Sequence, residues 1–492
     1  MYGTIPHAES MSVRIRQEGP RRSGSREAYL VDEENHGHAT IFSCFINLIN
    51  TVVGAGMLGL PGALEGTGYV TGCVMMGLGA AFSANGLILL TKAAQQSGLP
   101  SSFYSVARAA VPEYTVLIDL AVALKCFGVA TGYLITVGDC MVDALDHWLL
   151  NGDYQHDSQW WIEVVLSRQF WVVGALLSVL PISFFRTLDA LKTASAVAMV
   201  FVVFLAIGIV AYANGWADPC LDLEEEICIG ETEPYTTVGR TISKLPIFIF
   251  SFTCHQNIFP VVNEIRHRSQ TRLNLVVVLV IGFALALFAT IALEGYSTFG
   301  SKVMGDVLLN YPETPFVTIL RVCIAALVVL SYPLQLDPSR RCITSLINVL
   351  QQWRHRGRLI RVFHRRESAG LDDNELSVLR RESTIESQPE DDLEKFMSVE
   401  KFMSDDTFYL ITFTFLLLSF SVAMVVNDLG VVLALVGATG STLVSYILPG
   451  LIYIKIHPFL DVSNVLAHVQ LTVGCFIMPM ALYFVLTGNL SH

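Results

Sequence analysis

Charged residues are scarce in this chain of 492 residues: Asp, Glu, Lys and Arg make up 15%, while hydrophobic residues make up 53%. The mean hydropathy of +0.53 excludes an ordinary soluble domain, whose composition is about 25% charged. The chain also lacks the alternating segments of about ten residues that build a membrane β-barrel. These absences leave an all-α integral membrane protein.

Continuous apolar runs of roughly 20 residues, the length that spans a bilayer as a helix, recur about eleven times along the chain. We expect eleven crossings at approximately 41–63, 68–95, 114–149, 169–186, 190–214, 242–263, 273–297, 314–337, 406–426, 429–455 and 465–487.

Two long stretches fall outside these crossings. Residues 1–40 are polar, resemble no cleavable signal peptide, and are predicted to form a disordered tail. Residues 338–405 are rich in Arg, Glu and Ser and are predicted to form a cytosolic regulatory linker. The linker contains the tetrapeptide RRES twice, which makes Ser368 and Ser383 candidate kinase sites. A solvated linker without a switching role is the alternative.

Basic residues predict the orientation in the membrane. With the N-terminal tail in the cytosol, only four of the 31 Lys and Arg residues fall in far-side segments and two, Lys125 and Arg321, in crossings. The positive-inside rule therefore places the C-terminal residues 488–492 in a lumen or outside the cell. Arg321 is expected to extend to the far-side interface. The net charge of −12 disfavours nucleic acid as a partner.

Cysteines are mostly confined to the crossings, where packing is their usual role. Cys220 and Cys228 differ, because they bracket an acidic loop on the predicted far side. Both a disulfide and free thiols are compatible with this position.

Helix breakers stand inside the first predicted crossing. The stretch INTVVGAGMLGLPGAL at 49–64 contains Gly54, Gly56, Gly59, Pro61 and Gly62. Each Gly costs a helix about 1 kcal/mol and an interior Pro about 3 kcal/mol, so we expect a break near Gly54 to Gly56. The N–H groups of the half-helix that follows suit a carboxylate, and unwound carbonyls suit an ammonium group or a cation. The alternative is that small residues only let two helices pack closely.

Polar residues crowd the sixth predicted crossing. The stretch FSFTCHQN at 250–257 places five polar side chains at membrane depth within seven positions. Such a run covers every face of a helix, so some groups must face an internal cavity or unwound backbone. Transporters built from inverted repeats place their discontinuous helices first in each five-crossing half, which is where these two crossings stand.

Four stretches together resemble the amino acid/auxin permease family: NLIN at 47–50, GAGMLGL at 54–60, YLITVGD at 133–139 and TCHQN at 253–257. Within this family they look most like fungal vacuolar amino-acid transporters, and they are similar to sodium-coupled neutral amino-acid transporters. The resemblance covers about 40–487 without the linker. It implies a leucine-transporter-like fold, with a 5+5 inverted repeat plus one helix, that moves amino acids by alternating access with protons or sodium.

The resemblance also implies the site residues. It assigns the substrate carboxylate to backbone at Gly54, Ala55 and Gly56, and the ammonium group to unwound backbone near Ser251, Thr253 and Cys254, with Tyr133 as a further candidate. Asn50 and Ser331 match the positions that help hold sodium in sodium-coupled relatives, where Ser331 replaces a Thr.

Three further groups are candidates for ion coupling. His255 titrates near neutrality when unperturbed, and Asp139 can carry a proton; the alternatives are a structural hydrogen bond for His255 and an interfacial position for Asp139. Lys125 stands six residues after Asp119, a spacing that disfavours an ion pair within one helix. A structural or coupling role is expected for this intramembrane lysine.

The sequence thus predicts a secondary active transporter of amino acids in a vacuolar or lysosomal membrane, with the plasma membrane as the alternative location. Paired carboxylates and metal-ligand motifs are lacking in the crossings, so we expect neither covalent chemistry nor a cofactor. The alternative function is an amino-acid sensor that signals through its tail and linker. The amino acids carried and the choice between protons and sodium stay open.

Overall fold

The structure is a computed structural model that describes residues 37–98, 101–150, 160–184, 192–221, 225–367, 404–426 and 428–488. Within these ranges, nine helices are long and apolar enough to cross a membrane, and two shorter apolar helices accompany them. The predicted all-α, multi-pass architecture is confirmed. Most of the N-terminal tail, the candidate kinase sites Ser368 and Ser383, and the last four residues lie outside the described ranges.

The helices correspond to the eleven predicted runs and are called crossings 1 to 11. In order they are Ile41–Val52 with Leu60–Thr67, Tyr69–Ser97, Thr115–Leu150, Arg168–Ser183, Lys192–Ala213, Val238–Ser251 with Ile258–Glu264, Gln270–Phe299, Pro315–Glu367, Asp405–Val425, Leu429–Val436 with Leu448–Ile456, and Val462–Gly488. Crossing 10 is joined in its middle by the π-helical turns Gly437–Ser441 and Leu443–Ile447.

Crossings 1 and 6 are interrupted, as predicted. In crossing 1 the first helix ends at Val52, a 3₁₀ turn covers Ala55–Met57, and the second helix begins at Leu60. In crossing 6 a 3₁₀ turn at His255–Asn257 stands between the two helices. Every residue from 246 to 259 is buried. The freed backbone groups of crossing 6 are therefore shielded from lipid, as a break in a bilayer requires.

Crossing 8 continues much further than predicted. Its helix runs to Glu367, well beyond the expected end at residue 337, so the first part of the predicted linker is helical. Hydropathy marks only the end of the apolar run. The segment that follows is rich in Arg and also contains Gln, and both residues favour helix without being apolar.

The two faces of the helix bundle are defined by crossing 1, which begins at the near face and ends at the far face. At the near face, Ala39 donates a backbone hydrogen bond to Glu264 (2.8 Å) and accepts one from Arg266 (2.8 Å). This bridge ties the start of crossing 1 to the end of crossing 6. At the far face, a disulfide joins Cys220 to Cys228.

Candidate substrate and ion site

The two helix breaks lie against each other. The Ser251 hydroxyl donates to the Gly56 carbonyl (3.2 Å) and to the Ile247 carbonyl (2.8 Å). A Cβ atom at position 56 would lie 3.0 Å from a Phe250 ring carbon and 3.2 Å from the Ser251 Cα. Glycine at this position therefore lets crossing 6 approach crossing 1 closely, and a larger residue would have to displace Phe250 or the Ser251 backbone.

Tyr133 of crossing 3 closes the side of the break in crossing 1. A Cβ atom at position 54 would lie 2.7 Å from the Tyr133 hydroxyl oxygen, so this phenol rests directly on the Gly54 backbone. Tyr133 also forms a hydrogen bond with Gln335 of crossing 8. The structure thus brings together four of the predicted substrate residues, namely Gly54, Gly56, Tyr133 and Ser251.

Gln335 extends this polar surface to crossing 8. Its side-chain oxygen accepts a hydrogen bond from the Gln256 amide (3.4 Å), while the Gln256 Oε1 atom is buried without a partner among the described residues. Gln335 was not among the predicted site residues. Its signal was available, because it stands four residues after Ser331 and therefore on the same face of an apolar helix.

The predicted sodium residues are brought into contact. The Ser331 hydroxyl donates to Asn50 Oδ1 (3.4 Å), and both side chains are buried. Beside them, the Asn257 amide donates to the Thr51 hydroxyl (2.8 Å). This neutral oxygen set suits sodium better than a transition metal. In the described part of the chain, no group of three His, Cys, Asp or Glu side chains stands together to hold a metal ion.

The opposite side of crossing 6 carries a second polar cluster. The Ser445 hydroxyl of crossing 10 donates to Thr253 Oγ1 (2.9 Å), so the Thr253 side chain faces away from crossing 1. The Ser83 hydroxyl of crossing 2 donates to the Phe252 carbonyl (2.6 Å), and Gln470 of crossing 11 donates to the Ser445 carbonyl (2.7 Å). Neighbouring crossings thus satisfy a carbonyl that the break leaves free.

His255 and Lys125 belong to this second cluster. His255 is fully buried, and neither ring nitrogen has a hydrogen-bond partner among the described residues. The Lys125 ammonium interacts electrostatically with Cys254 and His255. Its stem packs on the π-helical part of crossing 10, since a Cβ atom at Gly440 would lie 2.6 Å from the Lys125 Cβ. Such π-helical turns occur frequently at functional sites.

Asp139 lies apart from both clusters. It stands six residues after Tyr133 on the same helix, about 9 Å nearer the far face. The Arg168 guanidinium donates to Asp139 (2.6 Å) and to the carbonyls of Ala423 and Val426 (2.9 and 3.0 Å). Asp139 is therefore part of an ion network toward the far-face ends of crossings 3 and 9 and the start of crossing 4.

The expectation for Arg321 was wrong. This side chain is 1% exposed and does not extend to the interface. Its guanidinium donates to the carbonyls of Leu308 and Tyr311 (3.2 Å each) and pairs with Asp143 (3.4 Å). The loop before crossing 8 folds over the arginine and supplies these acceptors, a long-range contact that the span prediction does not contain.

Two interrupted helices in contact at membrane depth, with polar side chains from crossings 3 and 8 around them, define a membrane transporter of the discontinuous-helix type. The family model described as "Transmembrane amino acid transporter protein" matches residues 37–491. The chain belongs to this family.

Curated relatives cover most of the chain. The chain is 32% identical over 422 residues to vacuolar amino acid transporter 6 of Saccharomyces cerevisiae, across 85% of this chain and 90% of the relative. It is 32% identical to vacuolar amino acid transporter 5 of Schizosaccharomyces pombe, across 88% and 87%. It is 29% identical to sodium-coupled neutral amino acid transporter 7 of Rattus norvegicus, across 64% and 66%.

Proposed function

We propose that the chain is a secondary active transporter that moves amino acids across a vacuolar membrane by alternating access, driven by an ion gradient. The observation that carries this proposal is the contact between the Gly56 carbonyl and the Ser251 hydroxyl, which joins two helix breaks inside the membrane. The names of the fungal relatives support amino acids as substrates and the vacuole as the location.

The backbone at the two breaks recognises the charged ends of the substrate. The backbone N–H groups at Gly54, Ala55 and Gly56 lie near the start of a half-helix, where the dipole favours a carboxylate. Unwound backbone near Ser251 to Cys254 receives the ammonium group, through carbonyls other than that of Phe252, to which Ser83 already donates. In this conformation the Gly56 carbonyl accepts a hydrogen bond from the Ser251 hydroxyl. An incoming ammonium group therefore replaces that hydroxyl as the donor to Gly56.

Alternating access requires the site to open to one face at a time. The near face is cytosolic in this proposal, because most Lys and Arg residues lie in segments on that side. The Ala39–Ile265 bridge closes the near face in the described conformation. Opening toward the cytosol therefore separates the first helix of crossing 1 from the end of crossing 6.

Ion coupling acts through groups next to the breaks. Sodium binds between Asn50 and Ser331, whose contact joins crossing 1 to crossing 8 and therefore responds when these crossings move. If the driving gradient is one of pH, protons bind instead at His255. The buried Lys125 ammonium beside it opposes that second positive charge, so the proton binds in a conformation that opens the site. Asp139 lies too far along crossing 3 to touch the substrate and acts through the far-face ion network that it forms with Arg168.

Uptake into proteoliposomes tests the proposal. Purified full-length chain is reconstituted, and each of the twenty radiolabelled amino acids is offered with an inward pH gradient, an inward sodium gradient or neither. The proposal expects concentrative uptake of a subset under one gradient, abolished when an ionophore dissipates it. Binding of amino acids without gradient-driven uptake contradicts it.

A further inference from the structure

The loop at 303–314, between crossings 7 and 8, forms a lid at the far face. The Val307 N–H donates to the Leu58 carbonyl of crossing 1 (3.2 Å). A Cβ atom at Gly62 would lie 2.8 Å from the Met304 carbonyl oxygen, and one at Gly305 would lie 3.5 Å from an Asp428 carboxylate oxygen. The far-face lid thus rests on crossing 1 and on the connection that leads into crossing 10.

Arg321 of crossing 8 binds the inner side of the far-face lid. Its guanidinium donates to two lid carbonyls, those of Leu308 and Tyr311. The same guanidinium pairs with Asp143 of crossing 3. Because crossing 3 also carries Tyr133 at the substrate site, the lid is linked through Arg321 to a helix that lines that site.

Asp306 is the carboxylate buried within the lid. It is 3% exposed, and its Oδ1 atom accepts a hydrogen bond from the Leu308 N–H (2.9 Å). Its Oδ2 atom is buried without a partner in the part of the chain that the structure describes. An ionised carboxylate in this position buries a charge whose second oxygen has no donor, whereas protonation of Oδ2 removes that buried charge.

The charged surroundings of Asp306 carry an excess of carboxylates. Crossing 3 contributes the carboxylates of Asp139 and Asp143 and the thiol of Cys140. Crossing 8 contributes the guanidinium of Arg321, and the connection into crossing 10 contributes the carboxylate of Asp428. Arg168 of crossing 4 is already paired with Asp139. Crossing 1 presents the backbone at Leu58. Ionising Asp306 therefore adds a fourth carboxylate to a site with two guanidinium groups.

The geometry points to Asp306 as a proton-binding residue of the transporter: its proton keeps the far-face lid closed, and loss of that proton releases the lid. This inference rests on the proposed function, because the lid matters only if the site opens alternately to the two faces. Nothing in it depends on which amino acid is carried or on which ion drives transport.

The direction of the pH effect follows from linkage. Burial, with added repulsion from Asp139 and Asp143, raises the pKa of Asp306 to about 7 in the closed lid, against the opposing effects of the Leu308 N–H and Arg321. An exposed Asp in an open lid has a pKa of about 3.9. Between these values the closed lid binds more protons, so closure is favoured at low pH and is lost progressively as the pH rises to about 7.

Thiol labelling measures lid opening without any transport. Within the lid, Val307 is fully buried and Met304 is half-exposed. Val307→Cys therefore reports opening, and Met304→Cys gives the rate for an accessible thiol. Both are made in full-length chain with the exposed Cys475 changed to Ser. An impermeant maleimide is applied, and the ratio of the two rates is followed from pH 5 to pH 8.

The labelling ratio is expected to rise about 50-fold from pH 5 to pH 7 and less than about twofold from pH 7 to pH 8, from the two pKa values above. Asp306→Asn is expected to keep the ratio low and flat, while Asp306→Glu keeps a pH-dependent rise. Glu231→Gln, which changes an exposed acid on the same face, is expected to behave as the wild type.

A flat profile in the wild-type chain, a flat profile in Asp306→Glu, or an unchanged rise in Asp306→Asn overturns the assignment. These results are independent of the uptake assay. If gradient-driven uptake is absent but labelling depends on pH, the transport proposal is overturned and the role of Asp306 in the lid stands. If uptake is present but labelling does not depend on pH, only the role of Asp306 is overturned.

Discussion

The hydroxyl of Tyr133 rests on the backbone of Gly54, so close that a Cβ atom there would lie 2.7 Å from it. This contact joins the middle of an unbroken helix to the point where crossing 1 loses its helical hydrogen bonds. The same hydroxyl bonds to Gln335 of crossing 8. A movement of crossing 1 therefore changes the contacts of two other crossings at once.

Removing the Tyr133 hydroxyl is expected to weaken substrate binding. Tyr133→Phe deletes one buried hydrogen bond, worth about 1 kcal/mol, and should raise the KM for uptake about fivefold. Tyr332→Phe is the matched control, because the Tyr332 hydroxyl bonds to Ser419 (2.7 Å) and not at the breaks. Equal KM values for the two variants would show that the Tyr133 phenol does not contribute to the site.

Sodium binding is expected to depend on Ser331. Sodium should raise the melting temperature of the purified wild-type chain, since a ligand that binds only the folded state stabilises it. Ser331→Ala removes an oxygen ligand and should raise the half-saturating sodium concentration at least about fivefold. Ser331→Thr retains a hydroxyl ligand and should leave that concentration unchanged. A wild-type chain that sodium does not stabilise contradicts this site and leaves the pH gradient as the driving force.

The uptake pH profile is expected to change when His255 is replaced. His255→Gln keeps a polar side chain of similar size but cannot gain a charge, so a profile set by imidazole protonation should flatten between about pH 5 and 8. His468→Gln is the control, because His468 bonds to the Asn464 carbonyl (2.8 Å) within crossing 11. An unchanged profile in His255→Gln removes this group as the coupling site.

The crossings and their breaks could be predicted because both depend on residues that are close together in the sequence. A bilayer demands about 20 apolar residues in succession, and Gly54 and Gly56 disfavour a helix through a local preference. Pro61 stands in the first turn of the second helix of crossing 1, where proline is tolerated. The near-face bridge at Ala39 had no such local signal. Neither did the extension of crossing 8 to Glu367, since helix propensity without hydrophobicity is invisible to a search for apolar runs.

The side-chain partners at the site could be predicted only in part. Asn50 and Ser331 came from a family resemblance, and the structure joins them across 281 positions of sequence. Gln335 had a local signal in its spacing from Ser331, whereas the role of Ser445 follows only from the packing of crossing 10 against crossing 6. Arg321 was misjudged for the same reason, because the lid carbonyls that bury it belong to a different segment.

Uptake by a Gly56→Leu variant examines the contact between the two breaks. A leucine there meets Phe250 and the Ser251 backbone, and overpacking of this kind costs about 1–3 kcal/mol, so gradient-driven uptake should fall at least about tenfold while membrane insertion is kept. Gly77→Leu, at a position with open space around it, should transport normally. Normal uptake by the inserted Gly56→Leu variant would contradict a substrate site at the breaks.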